Sequence, residues 1–331
     1  MHPHLSYNIR MKAFFRYFLI IVSGLITGCE MELPADKTEV EHDTWEQKKM
    51  LPFTGNYPNT PQGNREGTVA FVIGNKGYLC ISPFFGTTNL FSKLWEYDPK
   101  TDNWTAKADL PDGARQAPFF VIGNNAFVIC NTTVWVYDAT ADSWTAKGTA
   151  PGADKRAGFG FAIGSKGYVS GGFYNNAEMY EYNSGANTWI RKADMPNNIL
   201  FKNNDGVYRV SDARTFVIDA KAYMVGTNSY LAEYNPVNDT WKNTGIWTND
   251  LGAYPTAFNI GNKGYLFATN KLYEFNPTTN SPVLKKGFLG QSVCYPIGFG
   301  VLGKGYVGLG GMMENNNCEL IISRQLWQYI P

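Results

Sequence analysis

A hairpin signature that recurs six times constrains the fold of this 331-residue chain more than any other feature. Each copy is an apolar run, a tight turn rich in Gly and Asn, and a second apolar run that contains an aromatic residue. Gly and Asn accept the positive φ angles of hairpin turns, so each copy predicts two antiparallel strands. The turns follow one another at intervals of 41 to 55 residues, after Ile73, Ile122, Ile163, Ile218, Ile260 and Leu302.

A second signature follows each hairpin and predicts two more strands per repeat. An alternating aromatic run leads to a tyrosine, an Asp or Asn turn follows, and a tryptophan opens the next strand. In four copies the tryptophan comes seven residues after the tyrosine: Tyr97 to Trp104, Tyr137 to Trp144, Tyr182 to Trp189 and Tyr234 to Trp241. The fifth copy, at Phe275, has no tryptophan, so we expect the outer strand of that repeat to be weaker.

The sixth copy ends with the chain, at Tyr329-Ile330-Pro331, after only three strands. Its missing fourth strand has a counterpart near the N-terminus. Residues Asp43 to Pro52 share Asp-x-Trp, a lysine and Leu-Pro with residues Asp102 to Pro111. We therefore predict that the N-terminal strand completes the last repeat and closes the ring, which removes the open sheet edges that an incomplete array would expose.

The four-strand repeat resembles the kelch repeat across residues 43–331. The paired glycines typical of that repeat are present at Gly171-Gly172 and Gly310-Gly311, and four repeats lack them. The resemblance implies an all-β, six-bladed kelch-type β-propeller with four antiparallel strands per blade, the last closed by the N-terminal strand. One fold hosts many activities, so the resemblance is a poor guide to function.

The distribution of histidine excludes several kinds of chemistry. The three histidines, His2, His4 and His42, all precede the predicted ring. A His-based catalytic triad or a His-ligated zinc or copper site therefore has no histidine within the ring. Galactose oxidase is a kelch-type propeller whose copper site uses two histidines, and we expect its fold here without its activity. We expect neither a metal nor another cofactor.

The sequence pattern of the N-terminus predicts a targeting segment. Lys12 and Arg16 precede a short apolar run, which is too short to span a bilayer, and the segment Ile26-Thr27-Gly28-Cys29 follows. This resembles a bacterial lipoprotein signal of the Bacteroidetes type, with an ordinary secretory signal as the alternative. It implies a signal peptide over residues 1–28, lipidation of Cys29, an acidic tether over 29–42 and the propeller over 43–331. Whether translation starts at Met1 or Met11 stays open.

That resemblance also predicts the location and the partners. We expect a lipid anchor in the outer membrane, with the propeller periplasmic or surface-exposed, and no other membrane contact. The net charge of +1 gives no reason to expect nucleic acid. We expect a monomer whose partner is a glycan or an envelope protein. Four further cysteines are either disulfide-bonded or buried free thiols: Cys80, Cys130, Cys294 and Cys318.

Seven residues are predicted to surround the funnel where the innermost strands begin. Arginine grips carboxylates with paired hydrogen bonds, and tyrosine offers a flat apolar face with a hydroxyl, a combination that suits an acidic sugar or a glycan. The alternative is that each arginine holds neighbouring loops through main-chain carbonyls. The residues are Arg65, Arg115, Arg156, Arg209, Arg214, Tyr254 and Tyr295.

Three functions are compatible with these features. The first is a surface-anchored binding module for a glycan or a protein. The second is a metal-independent sugar epimerase or mutarotase, as in kelch-like sialic acid epimerases, with Glu66, Asp212 and Glu314 as candidate acids. The third is a structural component of the envelope. A carboxylate and an arginine within reach of one pocket would favour the enzyme, whereas an aromatic wall without a nearby acid would favour binding.

Overall fold

The computed structural model describes residues 43–52, 68–82, 91–172, 177–196, 201–202, 208–209, 213–226, 229–247, 255–291, 293–314 and 317–331. For residues 201–202, 208–209, 246, 294, 311–314 and 317–322 it describes the backbone alone. Every regular element in these ranges is a β-strand. No helix long and apolar enough to cross a membrane occurs in them.

In chain order the strands are β1 (Thr44–Lys48), β2 (Thr68–Ile73), β3 (Lys76–Ile81), β4 (Lys93–Asp98), β5 (Asn103–Ala106), β6 (Phe119–Ile122), β7 (Asn125–Cys130), β8 (Thr133–Asp138), β9 (Ser143–Thr149), β10 (Phe159–Ile163), β11 (Lys166–Ser170), β12 (Met179–Asn183), β13 (Thr188–Lys192), β14 (Phe201–Lys202), β15 (Tyr208–Arg209), β16 (Arg214–Ile218), β17 (Lys221–Val225), β18 (Tyr230–Asn235), β19 (Thr240–Ile246), β20 (Thr256–Ile260), β21 (Lys263–Ala268), β22 (Lys271–Asn276), β23 (Ser281–Leu284), β24 (Val293–Cys294), β25 (Ile297–Val301), β26 (Lys304–Gly308), β27 (Gly311–Glu314), β28 (Asn317–Ile322) and β29 (Leu326–Ile330).

These strands form a six-bladed β-propeller of four-stranded antiparallel blades, as the repeat predicts. Blades 1 to 5 are β2–β5, β6–β9, β10–β13, β16–β19 and β20–β23, and blade 6 is β25, β26, β29 and β1. The first strand of each blade contacts the first strands of both neighbours, so these six strands surround the axis. A short hairpin, β14–β15, and a three-stranded sheet, β24–β27–β28, are built from connections outside the blades.

The predicted closure of the ring is confirmed. Strand β1 pairs with β29 in antiparallel register, from Thr44 opposite Ile330 to Lys48 opposite Leu326. Trp45 is buried among aromatic side chains, with ring centroids 5.0 Å from Phe288 and 5.1 Å from Tyr329. The first described strand of the chain is therefore the outer strand of the last blade.

One packing contact explains why the hairpin signature favours Gly after the turn. In four blades the phenylalanine of the innermost strand lies against the glycine that follows the turn lysine in the second strand of the next blade. A Cβ built on Gly167 would lie 2.1 Å from the Phe120 ring, and one on Gly264 would lie 2.1 Å from the Phe216 ring. Most side chains are therefore excluded at this position, because the neighbouring ring already fills the space.

A recurring set of hydrogen bonds, which we name the outer latch, joins neighbouring blades near the rim. In blade 2 the Tyr137 hydroxyl donates to Asp142 at 2.8 Å, and Asp142 also accepts the main-chain N–H of Ala108 in blade 1 at 2.9 Å. The Trp144 indole N–H donates to the carbonyl of the same Ala108 at 2.9 Å. The Asp and Trp of the second signature thus bind both main-chain polar groups of one residue in the preceding blade.

Strand β1, which closes the ring and which we name the closing strand, takes part with its flanking residues in two outer latches. Asp43 accepts the Tyr329 hydroxyl at 2.6 Å and the N–H of Lys286 in blade 5 at 3.1 Å, while Trp45 donates to the Lys286 carbonyl at 3.0 Å. Just past the strand, Lys49 donates its N–H to Asp102 and accepts from Trp104 of blade 1. The segment from Asp43 to Lys49 therefore joins blade 6 to both of its neighbours.

Among the described residues, the blade 2–3 and blade 4–5 interfaces carry no outer latch. The outer strands of blades 2 and 4 are bulged, and Gly148 and Gly245, at the latch position, have φ angles of 99° and 135°. At the second interface, Pro282 also stands where other blades have tryptophan, as the fifth copy of the signature indicates. Trp247 fills part of that interface, with its ring centroid 6.2 Å from that of Phe275.

Removal of the closing strand should destabilise the whole propeller. A chain that begins at Phe53 loses strand β1, its buried tryptophan and the five hydrogen bonds that the removed segment makes in the two latches, each worth about 1 kcal/mol. We expect its thermal unfolding midpoint to fall by more than about 10 °C relative to a control chain that begins at Glu41. An unchanged midpoint in differential scanning calorimetry would contradict the closure.

The latch aspartates should make stability sensitive to acid. Burial raises the pKa of Asp43, Asp142 and Asp239, but hydrogen bonds from tyrosine and main-chain N–H groups and the charges of nearby lysines outweigh it, so each pKa lies below its ordinary value of 3.8. Such a carboxylate stabilises the fold above its unfolded-state pKa, and this contribution is lost as pH falls through the folded-state pKa. We expect the unfolding midpoint to decrease below about pH 4.

A variant with Asp43, Asp142 and Asp239 changed to Asn is the matched control. Asn187 accepts the tyrosine hydroxyl at the same position in blade 3, so the repeat tolerates an amide there. An amide does not titrate, and circular dichroism melts should therefore show a shallower decrease of the midpoint for this variant. Equal slopes for the two proteins would rule out the aspartates as the cause.

Candidate functional site

A cavity lies on the propeller axis where the innermost strands begin. Each blade contributes the residues that lead into its first strand. The described residues of the wall are 68–70, 116–119, 157–160, 213–215, 256–257 and 295–298. All six blades therefore converge on one concave surface, which is where a propeller offers a ligand the most contact.

The described wall of this cavity is mostly neutral. Small and apolar side chains dominate it, and its neutral polar side chains are Thr68, Gln116, Thr215, Thr256 and Tyr295. Arg214 is the one charged residue among the described residues of the wall, and none of these residues is a carboxylate. This wall offers hydrogen bonds and a single cation.

Arg214, a predicted site residue, lies in the wall and contacts main-chain groups. Its Nε donates to the carbonyl of Pro255 in the next blade at 2.5 Å, and Nη1 donates to the carbonyl of Ala213 at 3.2 Å. Thr215 adds a second bond between blades, from its hydroxyl to the carbonyl of Gly160 at 3.1 Å. Arg214 thus makes the main-chain contacts expected of a structural arginine, and its role in ligand binding stays a prediction.

Arg156 forms a local ion pair with Asp154. Its guanidinium donates to Asp154 through Nε, at 2.7 Å, and through Nη2, and its main-chain N–H donates to the same carboxylate at 2.9 Å. Burial raises the pKa of Asp154, but the hydrogen bonds and charge of Arg156 lower it below its ordinary value. The positive charge of Arg156 is therefore largely neutralised within its own turn.

The remaining predicted residues are distributed around the cavity or outside the described ranges. Tyr295 lies in the wall, and half-buried Arg115 directly precedes the wall residue Gln116. The backbone of Arg209 pairs with Phe201 in the β14–β15 hairpin. Arg65 and Tyr254 fall outside the described residues. A ligand-binding role for these residues stays a prediction.

Three blades bring the chain to the cavity with the same unusual backbone conformation. Gln116, Ala157 and Tyr295 each precede the innermost phenylalanine by four residues, and their φ angles are 46°, 64° and 52°. The carbonyl of Gln116 accepts the N–H of Ala157 at 2.9 Å, which joins blades 2 and 3 at this level. Because the backbone is alike in three blades, the side chain at this position can vary without changing the turn.

Gln116 is a wall residue that the sequence did not single out. Its Oε1 is buried and has no hydrogen-bond partner among the described residues. Alignment of the repeats on their innermost phenylalanine provides the missing signal, because it places Gln116 beside Ala157 and Tyr295 at one position.

Lys155 is a second unpaired polar group close to the cavity wall. It is 1% exposed, its ammonium lies 5.2 Å from the centroid of the Tyr180 ring, and no described residue hydrogen-bonds to it. Burial lowers the pKa of Lys155, while the charge of Glu178 acts in the opposite direction. The residue of blade 2 that is equivalent to Lys155 is the fully buried Ala114, so the fold of a blade does not require a charged residue at this position.

The two cysteines whose side chains the structure describes lie in the core. Cys80 and Cys130 are free thiols packed in one core cluster, and burial raises the pKa of each. Cys294 and Cys318 lie on strands β24 and β28, which flank β27 on opposite sides. Two strand spacings amount to about 9.5 Å, beyond the Cα separation of about 7 Å that a disulfide bridges.

No cluster of three or more potential metal ligands occurs among the described residues.

Comparison with known proteins supports the fold and does not extend to function. No protein-family profile matches the chain, and no curated protein matches it. The solved structure of YjhT superposes on it with a TM-score of 0.58 and 14% sequence identity, over 81% of this chain and 96% of the YjhT chain. At this identity the likeness shows a shared fold alone.

Loss of the Arg214 side chain should destabilise the propeller. Arg214→Ala removes a charged donor from the buried carbonyl of Pro255, which we expect to lower the free energy of unfolding by about 2 kcal/mol. Arg191→Ala is the control, because Arg191 is 55% exposed and pairs with Asp194 at the surface, where such pairs contribute less than about 1 kcal/mol. Equal losses for the two variants in urea denaturation would contradict a structural role for Arg214.

Proposed function

We propose that this chain is a lipid-anchored binding module of the cell envelope that holds a glycan in its axial cavity. The anchor part of the proposal rests on the segment Ile26 to Cys29 and on the acidic tether that follows it. The binding part rests on the cavity. A protein partner is the competing ligand, and the binding experiment below separates the two.

The observation that carries the proposal is the chemistry of the described cavity wall. It combines neutral hydrogen-bonding groups with a tyrosine and apolar side chains, and its one cation donates to main-chain carbonyls. Sugars present hydroxyls around their edges and C–H groups on their faces, so they pair with walls of this mixed kind. Acid–base catalysis requires a positioned proton donor or acceptor, and the described wall offers Tyr295 for this role but no carboxylate or histidine.

The alternative is a metal-independent sugar epimerase or mutarotase. It requires an acid at the cavity, and the three candidate acids, Glu66, Asp212 and Glu314, lie outside the residues or side chains that the structure describes. The two functions give different results with a freshly dissolved reducing sugar. A binding module leaves the rate of anomer exchange unchanged, whereas a mutarotase accelerates it in proportion to protein concentration.

Filling the cavity should abolish glycan binding. Ala257 lies in the wall at the position that Phe119 occupies in blade 2, so Ala257→Phe copies a side chain that the repeat accommodates. We expect a glycan array probed with the chain from residue 30 onwards to show binding that Ala257→Phe weakens at least about tenfold, since a ring then occupies ligand space.

Ala146→Phe is the control for this experiment, because it adds the same ring at an exposed position on the outer strand of blade 2. It should bind glycans like the unaltered chain, and thermal melts of both variants should show that they fold. An array without any bound glycan, or equal binding by Ala257→Phe, would overturn the proposal and favour a protein partner.

A further inference from the structure

We propose that Gln116 determines ligand specificity in the axial cavity, and that its carboxamide forms hydrogen bonds with two adjacent hydroxyl groups of a neutral sugar. The inference rests on the proposed glycan-binding function and deepens it. The side chain of Gln116 would be the polar group that recognises the ligand, and a neutral sugar would be the class of ligand that it recognises.

The first argument is that Oε1 of Gln116 has no hydrogen-bond partner among the described residues. A glutamine amide has two acceptor lone pairs on oxygen and two donors on nitrogen. In Gln116, which lines the cavity, Oε1 is buried and accepts no hydrogen bond from any described residue. A buried polar atom without a partner costs roughly 1–3 kcal/mol, so a group of this kind in a native protein calls for a ligand or another explanation.

The second argument is that the backbone does not require glutamine at this position. Ala157 and Tyr295 have the same left-handed conformation at the equivalent positions of blades 3 and 6. Ala157 shows that a methyl group is sufficient there, and Tyr295 shows that a large side chain is accommodated. The polar, unpaired side chain is therefore a property of blade 2 that the turn itself does not explain.

The third argument concerns the ligand class. The carboxamide presents a donor and an acceptor side by side in one plane, and two vicinal hydroxyls match this pair because one donates while the other accepts. Of the three described arginines near the wall, Arg214 donates to main-chain carbonyls and Arg156 pairs with Asp154, while Arg115 does not line the wall. Recognition through an uncharged edge therefore favours a neutral sugar over an acidic one.

The test compares Gln116→Ala with the unaltered chain by isothermal titration calorimetry. The probes are D-mannose, D-galactose and D-glucose, which are neutral, and D-glucuronate and N-acetylneuraminate, which are acidic. We expect at least one neutral sugar to bind, and Gln116→Ala to weaken it about tenfold through the loss of two hydrogen bonds. Gln116→Glu, which replaces the donor with an acceptor, should weaken it as well. Gln47→Ala, an exposed glutamine on β1, is the matched control and should bind normally.

A second measurement does not depend on finding a ligand. Gln116→Met removes the unpaired polar atoms at similar size, so the ligand-free variant should unfold about 2–4 °C higher than the unaltered chain. A lower midpoint would show that the carboxamide has a structural partner, and it would overturn the inference.

The outcomes separate this inference from the proposed function. Unchanged binding by Gln116→Ala, or binding of acidic sugars alone, would overturn the role of Gln116 and leave glycan binding intact. Absence of binding to every probe and to the glycan array would overturn both.

Discussion

Both main-chain polar groups of a single residue connect each latched pair of blades. An outer strand has one edge without a partner strand, so its last N–H and carbonyl groups would otherwise face solvent or remain unpaired. The aspartate and tryptophan of the next blade satisfy both groups of Lys49, Ala108, Ala193 and Lys286. Neighbouring blades are thus held at a fixed spacing near the rim, while the innermost phenylalanines fix the spacing near the axis.

The repeat predicted the strands, their order and the closure of the ring because all of these follow from local patterns. Turn residues, alternating aromatic side chains and the matching segments at the two chain ends carry that information. The latch was not predictable in the same way. The carbonyls of Ala108 and Ala193 accept the indole N–H groups, and any residue type at these positions would offer the same carbonyl. Two recurring aspartates of the signature have different roles, because Asp138 accepts the N–H groups of its own turn whereas Asp142 binds the preceding blade.

The site was less predictable than the fold for the same reason. Sequence reasoning favoured arginines, whose chemistry is conspicuous, and Arg156 and Arg214 prove to have partners in their own turn or in the next blade. Gln116 belongs to no motif, and its position stands out only when the repeats are aligned on their innermost phenylalanine and the cavity wall is known. What a side chain leaves unpaired depends on its three-dimensional surroundings, which no motif encodes.

The closing strand also determines the order in which the chain can fold. Asp43 and Tyr329 are hydrogen-bonded across 286 residues of sequence, so blade 6 is complete only after the C-terminal strand has been synthesised. Contacts between such distant segments close the longest loops and form late. A segment that leaves the ribosome among the first residues of the domain is then incorporated last. Until that step, the chain has an open β-edge at blade 6 that is prone to pair with other chains.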